Sequence, residues 1–292
     1  MSLVVLDAGA LTTVQDPGRC GWAHLGVPRA GPLDMPAAAL ANRVVGNPEG
    51  AAVLETTMTG LAFRARRGHW FAVTGARCEV RVDGHADAHG AAVWAPAGAE
   101  VRVGRALTGV RSYVAVAGGI DVAPVLGSRA TDTLAWVGPP RVVDGAELPV
   151  GTPTGPPQPH DTPRPRPPGP LHVDPGPRVD WFGADALRRL CATAYTVGAD
   201  SNRIGLRLKG APLQRVRDGE LASEGMVLGS VQVPPDGQPV VFLADHPVTG
   251  GYPVVAVVRV ADLHRCAQLR PGDEVRFTPA PPPGGTAPAP GR

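Results

Sequence analysis

The chain has 292 residues, enough for two domains that each bury a core. Its net charge of +2 gives no electrostatic preference for nucleic acid or an anionic membrane, and Lys209 is its one lysine. That lysine lies in RLKGAP, which is neither a GxxxxGK[ST] phosphate loop nor a Met-Lys-Met biotin site. ATP or biotin chemistry would therefore depend on another polypeptide. Cys20, Cys78, Cys191 and Cys266 are far apart with no CxxC spacing, which argues against a zinc site or a disulfide framework. The N-terminal run meets an acid at Asp7, too early for a signal peptide, and no apolar stretch is long enough to span a bilayer. A soluble, cytoplasmic protein is expected.

In chain order, the first informative block is polar and turn-rich, from Thr12 to Glu55. Within it, Asp16-Pro17-Gly18-Arg19 reads as a type II turn, with proline setting the first corner and glycine accepting the positive φ of the second. Gln15 lies beside it. Arg19 either clamps a carboxylate through its two-pronged guanidinium or bridges Asp16 and braces the N-terminal strand. A helix is predicted from Asp34 to Val45: Asp34 caps it, Pro36 fits the first turn, and Gly46 with Asn47-Pro48 ends it. Asn42 is a poor helix-interior residue, which points to a hydrogen-bonding role toward the loop carrying Gln15. Glu55 either reaches the same region or pairs with Arg43.

From residue 69 to 119, short valine-rich runs alternate with Gly, Pro and Asp turns. Val80 and Val82, and Val101 and Val103, show the period of two of half-buried strands, and the short spacing predicts an antiparallel barrel or sandwich. His85 and His89 have a helical metal-ligand spacing, but the glycines and strands around them predict a surface loop. Ser128-Arg129, with Thr131 and Asp132, forms a hydroxyl–arginine turn. Residues 151–170 are crowded with prolines and read as an extended linker.

Beyond the linker, a second unit is expected over 171–279. It has a helix near 184–194, a second hydroxyl–arginine turn at Ser201-Asn202-Arg203, a hairpin at Pro235-Asp236-Gly237, a helix near 262–269 and a closing strand. Arg207 alternates with Arg203 and is expected to face solvent. Gln232 lies between valines and so points to the face opposite theirs. Gly250-Gly251-Tyr252 allows close backbone approach and supplies a phenol. Asp245 and His246 are adjacent on an extended segment and point to opposite faces, which argues against an acid–base dyad between them. Absence of a GxSxG elbow argues against a serine hydrolase. The tail from 280 to 292 is predicted to be disordered.

Nine segments together resemble one family, variously called allophanate hydrolase subunit 2-like, biotin-dependent carboxyltransferase or the 5-oxoprolinase C subunit. They are TTVQDPGRCG (12–21), GPLDMPAAALANRVVGN (31–47), VLETTMTG (53–60), VTGA (73–76), AVAGGI (115–120), LGSRATDT (126–133), SNRIGLRLKG (201–210), SEGMVLGSVQVPPDGQP (223–239) and TGGYPVVAVV (249–258). The resemblance implies a mainly β chain of two tandem cyclophilin-like β-barrels, 1–150 and 171–279, with a few short helices and a groove formed by these motifs. It departs at Asp245-His246-Pro247-Val248, where the family often has Asp-x-Gln-Thr.

The implied activity is that of the C subunit in an ATP-dependent 5-oxoprolinase, which converts 5-oxo-L-proline to L-glutamate together with A and B subunits. The B subunit is allophanate hydrolase subunit 1-like, and ATP would be used by the complex. Alternatives are carboxyl transfer between carboxybiotin and urea or another amide, with biotin supplied by another chain, and non-enzymatic binding of a kinase-inhibitor-like B subunit. Under the first reading Asp245 and Glu224 are acid–base candidates. Gln15, Asp16, Arg19, Asn42, Ser128, Arg129, Ser201, Asn202, Arg203, Gln232, Gly251 and Tyr252 are the substrate-binding candidates, and no metal is implied.

Overall fold

The computed structural model describes residues 2–159 and 169–281. The chain divides into two compact units. One is Met1–Arg166 with Leu243–Val248 and His264–Arg270; the other is Pro167–Phe242 with Thr249–Leu263 and Pro271–Arg292. It is mainly β, with a few short helices, as the sequence predicts. The remainder of the predicted linker, 160–168, and the tail from 282 lie outside the described residues.

The first unit contains β1 (Ser2–Asp7), β2 (Thr12–Gln15), α1 (Met35–Val44), β3 (Val53–Thr57), β4 (Leu61–Ala65), β5 (His69–Arg77), β6 (Val80–Val82), β7 (His85–Asp87), β8 (Val93–Ala95), β9 (Glu100–Val103), β10 (Thr108–Val116) and β11 (Glu147–Pro149). Its strands form a six-stranded sheet, β11-β1-β4-β9-β6-β7, and a five-stranded sheet, β2-β3-β10-β5-β8. Both sheets contribute to one shared core that includes Leu3, Phe63, Val73, Val101 and Val114. The period of two is visible in β10. Val114 and Val116 enter that core, while Tyr113 and Ala115 point the other way to a second cluster with Ala38, Ala41 and Val44 of α1. Small alanines on α1 let the helix lie close against the five-stranded sheet, and each fully buried valine contributes about 1.5–3 kcal/mol.

The helix begins as its sequence predicts. Asp34 accepts a hydrogen bond from the Ala37 amide, and a proline occupies the first turn. At its other end the described part of the proline-rich stretch, 151–159, lies against the helix. Gln158 N donates to Val44 O at 3.0 Å, and Thr154 Oγ1 donates to Gly46 O at 3.1 Å. His85 corrects an expectation: it opens β7, an exposed strand paired with β6, rather than lying in a loop.

The second unit contains β12 (Leu171–Pro175), α2 (Ala186–Ala192), β13 (Ala194–Val197), β14 (Gly205–Lys209), β15 (Glu224–Gly225), β16 (Ser230–Gln232), β17 (Val240–Phe242), β18 (Thr249–Gly250), β19 (Val254–Val258), α3 (Val260–Cys266) and β20 (Glu274–Pro279). Seven of these strands close into a barrel in the order β12-β19-β16-β17-β14-β13-β20. Closure requires one parallel pairing, β12 with β20. It also removes the exposed sheet edges that an open ladder would present. The Pro235-Asp236-Gly237 hairpin joins β16 to β17, with Gly237 at a φ of 75°.

A buried polar network fixes the start of α1. Tyr113 OH donates to Glu55 Oε2 at 2.8 Å and accepts from Asp34 N at 2.7 Å, while Gln268 Nε2 donates to Asp34 Oδ2 at 2.9 Å. Burial pushes the Asp34 carboxyl up from its ordinary value, with the Gln268 and Ala37 hydrogen bonds pulling it back. The folded chain thus holds this proton more tightly than the unfolded chain. Its stabilising contribution is complete in acid, and is lost as pH rises from the ordinary aspartate range through the raised value. Asp34→Asn should therefore flatten the fall in stability as pH rises above the ordinary aspartate range. Denaturant melts across that range check this, and parallel pH profiles for variant and wild type would contradict it.

Candidate functional site

In the first unit the turn after β2 grips the segment 121–132 through side chain after side chain. Gly18 has a φ of 85°, and a Cβ there would meet Arg29 O at 2.5 Å, so the turn needs glycine. Asp16 accepts hydrogen bonds from Gly18 N at 3.0 Å, from Arg129 N at 2.6 Å and from the Ser128 hydroxyl. Gln15 Nε2 donates to Thr131 O at 2.9 Å, and Arg19 Nη2 donates to Ala130 O. Asp16 and Arg19 thus engage the facing backbone rather than each other. Arg129 is tied locally, Nε to Val122 O at 2.7 Å and Nη2 to Asp121 Oδ1 at 2.7 Å.

The gripped segment leads directly into a pair of buried acids. Asp132 accepts from Leu134 N at 2.9 Å and Ala135 N at 2.8 Å, folding the chain so that Thr133 faces Asp245. Asp245 Oδ2 accepts from both Thr133 N at 2.9 Å and Thr133 Oγ1 at 2.7 Å. Asp132 and Asp245 are fully buried and Arg19 almost so. Burial raises the Asp132 carboxyl, with its two amide donors opposing and the Asp245 charge adding to the rise. Burial also pulls the Arg19 guanidinium down, against the attraction of Asp16, Asp132 and Asp245. Among the described residues, Arg19 Nη1 and Gln15 Oε1 are buried without a hydrogen-bond partner. A fixed carboxylate beside a guanidinium with a donor to spare can move a proton and hold developing negative charge.

Gln15 and Asp16 also border a cleft of about 430 Å³ with Met35, Asn42, Arg43 and Glu49. Two expectations are corrected here. Asn42 does not reach the loop carrying Gln15: its Nδ2 donates to Glu49 O at 3.1 Å and Ala51 O at 2.8 Å, closing the connection after α1. Glu55 does not pair with Arg43, which takes Glu49 at 2.8 Å. Strand alternation turns Glu55 inward to Tyr113, to Leu33 N at 3.0 Å and toward Arg111.

In the second unit, Ser201 and Asn202 shape their own turn. Asn202 Oδ1 accepts from Ile204 N at 2.9 Å, and Ser201 Oγ accepts from Arg207 N at 3.1 Å. Arg203 is buried at 1% exposure, whereas Arg207 faces solvent as expected. Glu224 opens β15, where Arg178 engages both its oxygens, Nε to Oε2 at 3.0 Å. Gln232 is buried and its Nε2 donates to Tyr252 O at 3.1 Å. A Cβ on Gly250 would meet that Nε2 at 2.8 Å, and one on Gly251 would meet Leu221 O at 3.3 Å, so this turn is closely approached from two sides. Tyr252 is exposed at 45%.

Among the candidates, Gln15, Asp16, Arg19, Ser128, Arg129 and Asp245 thus belong to one network in the first unit. Glu224, Gln232, Gly251 and Tyr252 gather in the second, and Ser201 and Asn202 hold a separate turn there. Sequence reasoning missed Thr133 and Arg178 as the partners of the two candidate carboxylates. They lie 112 and 46 residues away from them. No local spacing encodes such a pairing.

Residues 25–279 match the carboxyltransferase domain, subdomain A and B. The chain belongs to that family. Among curated proteins it is 39% identical to the 5-oxoprolinase C subunit of Escherichia coli over 284 residues, covering 94% of this chain and 90% of that protein. It is 31% identical to urea amidolyase of Saccharomyces cerevisiae over 93% of this chain, but only 16% of that larger protein. Among solved structures, the Kluyveromyces lactis urea carboxylase superposes with a TM-score of 0.89 at 31% identity, over 95% of this chain and 27% of that one.

If the turn after β2 holds the 121–132 segment, Asp16→Ala should release it. Removing a half-buried acceptor of several hydrogen bonds should cost about 1 kcal/mol or more. Amide hydrogen exchange in residues 125–137 should quicken more than exchange in β10. Unchanged protection across that loop would contradict the assignment.

Proposed function

We propose that this chain is the C subunit of a multi-subunit 5-oxoprolinase that opens 5-oxo-L-proline to L-glutamate at the expense of ATP. The observation that carries the reading is the match to the Escherichia coli protein along nearly the whole of both chains. A five-membered lactam is too stable to open readily without activation, which accounts for the need for ATP. The sequence contains no phosphate-loop lysine, so nucleotide handling falls to the companion A and B subunits. In this reading the lactam oxygen is phosphorylated at the contact with the B subunit, and ring opening by water follows with the help of the A subunit.

Asp245 is the acid–base group. Two donors of Thr133 help to orient it, as a positioned proton-transfer residue requires. Arg19, with a buried Nη1 that has no partner among the described residues, supplies positive charge toward the oxygen that gains charge as the lactam is attacked. Glu224, whose two oxygens are engaged by Arg178, is the second candidate. Carboxyl transfer to an amide is the competing reading, favoured by the family match and by the urea amidolyase and urea carboxylase relatives. There a biotin carried by another chain would deliver the carboxyl group. Among the described residues no helix is long and apolar enough to cross a membrane.

The chain alone should release no glutamate from 5-oxo-L-proline and ATP, and should do so once co-purified with its partner subunits. Turnover by the partner-free chain would contradict the division of labour. In the assembled enzyme Asp245→Asn should lower kcat by about 10²-fold or more. Glu224→Gln should cost far less, because Arg178 already engages both Glu224 oxygens. Equal losses for the two variants would overturn the assignment of Asp245.

A further inference from the structure

Each sheet of the first unit has two edges, and an edge is a template for another strand unless it is covered or charged. β2 is covered: Thr131 N donates to Val14 O at 2.9 Å, and Val142 N donates to Thr12 O at 2.9 Å. At β11, Asp121 N donates to Pro149 O at 2.8 Å, and the strand carries Glu147, which pairs with Arg66. β7 is exposed throughout but presents His85 and Asp87. β8 differs from all three. Among the described residues its backbone pairs only with β5, and residues 90–99 around it contain no charged side chain.

The side of β8 that meets solvent is aromatic. Trp94 lies opposite Trp70 of β5, with ring centroids 5.3 Å apart and planes at 60°. Both indoles are exposed, Trp94 at 47% and Trp70 at 36%. Gly68 seats the Trp94 ring, since a Cβ at Gly68 would meet it at 2.4 Å. Val93 and Ala95 turn into the core, so strand alternation fixes Trp94 on the outside. Trp70 also borders a cleft of about 390 Å³ with Val44, Ala91, Ala92, Pro157 and Pro159, and no charged side chain lines it. Two tryptophans on an uncharged edge, continued by an apolar cleft, have the character of an association surface.

The occupant this edge fits is a second copy of the chain. In a two-fold antiparallel pairing centred on Trp94, that residue meets its own counterpart, and Val93 meets the counterpart of Ala95. A charged edge would set like charge against like charge in such a pairing, whereas this one brings together apolar groups alone. The Trp70–Trp94 contact would then extend into a row of four indoles, which favour the edge-to-face packing already present within one chain. We propose that two copies of this chain associate edge to edge through β8, so that their five-stranded sheets run on as one across Trp94. The pairing strands are three residues long, so the dimer is of the weak, concentration-dependent kind. The proposal does not rest on the 5-oxoprolinase reading.

Sedimentation velocity on the full-length chain over a wide concentration range tests this. The wild type should pass from monomer to dimer, and Trp94→Lys, with wild-type circular dichroism, should stay monomeric throughout. A wild type that is monomeric at every concentration overturns the proposal and leaves the edge to a strand of another protein. A dimer that survives Trp94→Lys overturns it as well, because another surface then holds the copies together.

Cross-linking decides the matter even if the lysine variant fails to fold. In a Cys20→Ser background, which removes the exposed native thiol, Trp94→Cys and Trp70→Cys are each oxidised and run on non-reducing gels. Paired across the two-fold, residues 94 lie about 4.5–5.5 Å apart at Cα, within disulfide reach. Residues 70 are three strand spacings apart, about 14 Å, and out of reach. A covalent dimer with Trp94→Cys alone is expected. Equal cross-linking at both positions, or at neither, contradicts the β8 pairing.

Discussion

The carboxylate of Asp16 is the interaction on which the candidate site of the first unit depends. It sits in a glycine turn and accepts from the Ser128 hydroxyl and the Arg129 amide, more than a hundred residues away in the chain. Asp16 is half-buried, and a carboxylate partly withdrawn from water is stabilised by such donors. Gln15 and Arg19, on either side, take the next two carbonyls, Thr131 O and Ala130 O. Three side chains of one turn thereby fix a stretch of backbone that has no sheet of its own to order it. That stretch runs on into the Asp132 fold, and through Thr133 it meets Asp245.

Local strain is consistent with this arrangement. Leu126 lies within the held segment and Trp136 just beyond it, with φ of 51° and 57°, a region that non-glycine residues seldom occupy. Conformations of this kind cost about 1–3 kcal/mol each and persist only where neighbours over-determine them. Here Trp22 Nε1 donates to Leu126 O at 3.1 Å, and Asp132 N donates to Val137 O at 2.9 Å. The second unit solves its positioning problem differently. Its closed barrel supplies rigid strands, and aromatic and guanidinium groups at the Gly250–Tyr252 turn orient one another.

Much of the fold was legible because it rests on local signals. Asp34, Pro36 and Gly46 mark α1, alternating valines mark β9, and Pro235-Asp236-Gly237 marks its hairpin. The joint order of the motifs made the family recognisable, and the match over residues 25–279 bears it out. The candidate site was legible only as a set of residue types. Asp16, Arg19 and Ser128 were singled out because polar side chains beside glycines signal a special environment, yet which atoms they meet depends on partners 111 to 113 residues away. Asn42 and Glu55 show the limit most clearly. Both were correctly read as having polar work to do, but helix and strand geometry direct them to Ala51 O and Tyr113.

If Asp245 is the proton-transfer group, the turn after β2 acts on the chemistry through it. A double-mutant cycle on kcat/KM in the assembled enzyme tests this most directly, combining Asp16→Ala with Asp245→Asn. Where the turn serves to orient Thr133 against Asp245, Asp16→Ala should be costly in the wild-type background and nearly without effect once Asp245 is already Asn. Fully additive losses would contradict the account, because Asp16 would then be acting by a route independent of Asp245.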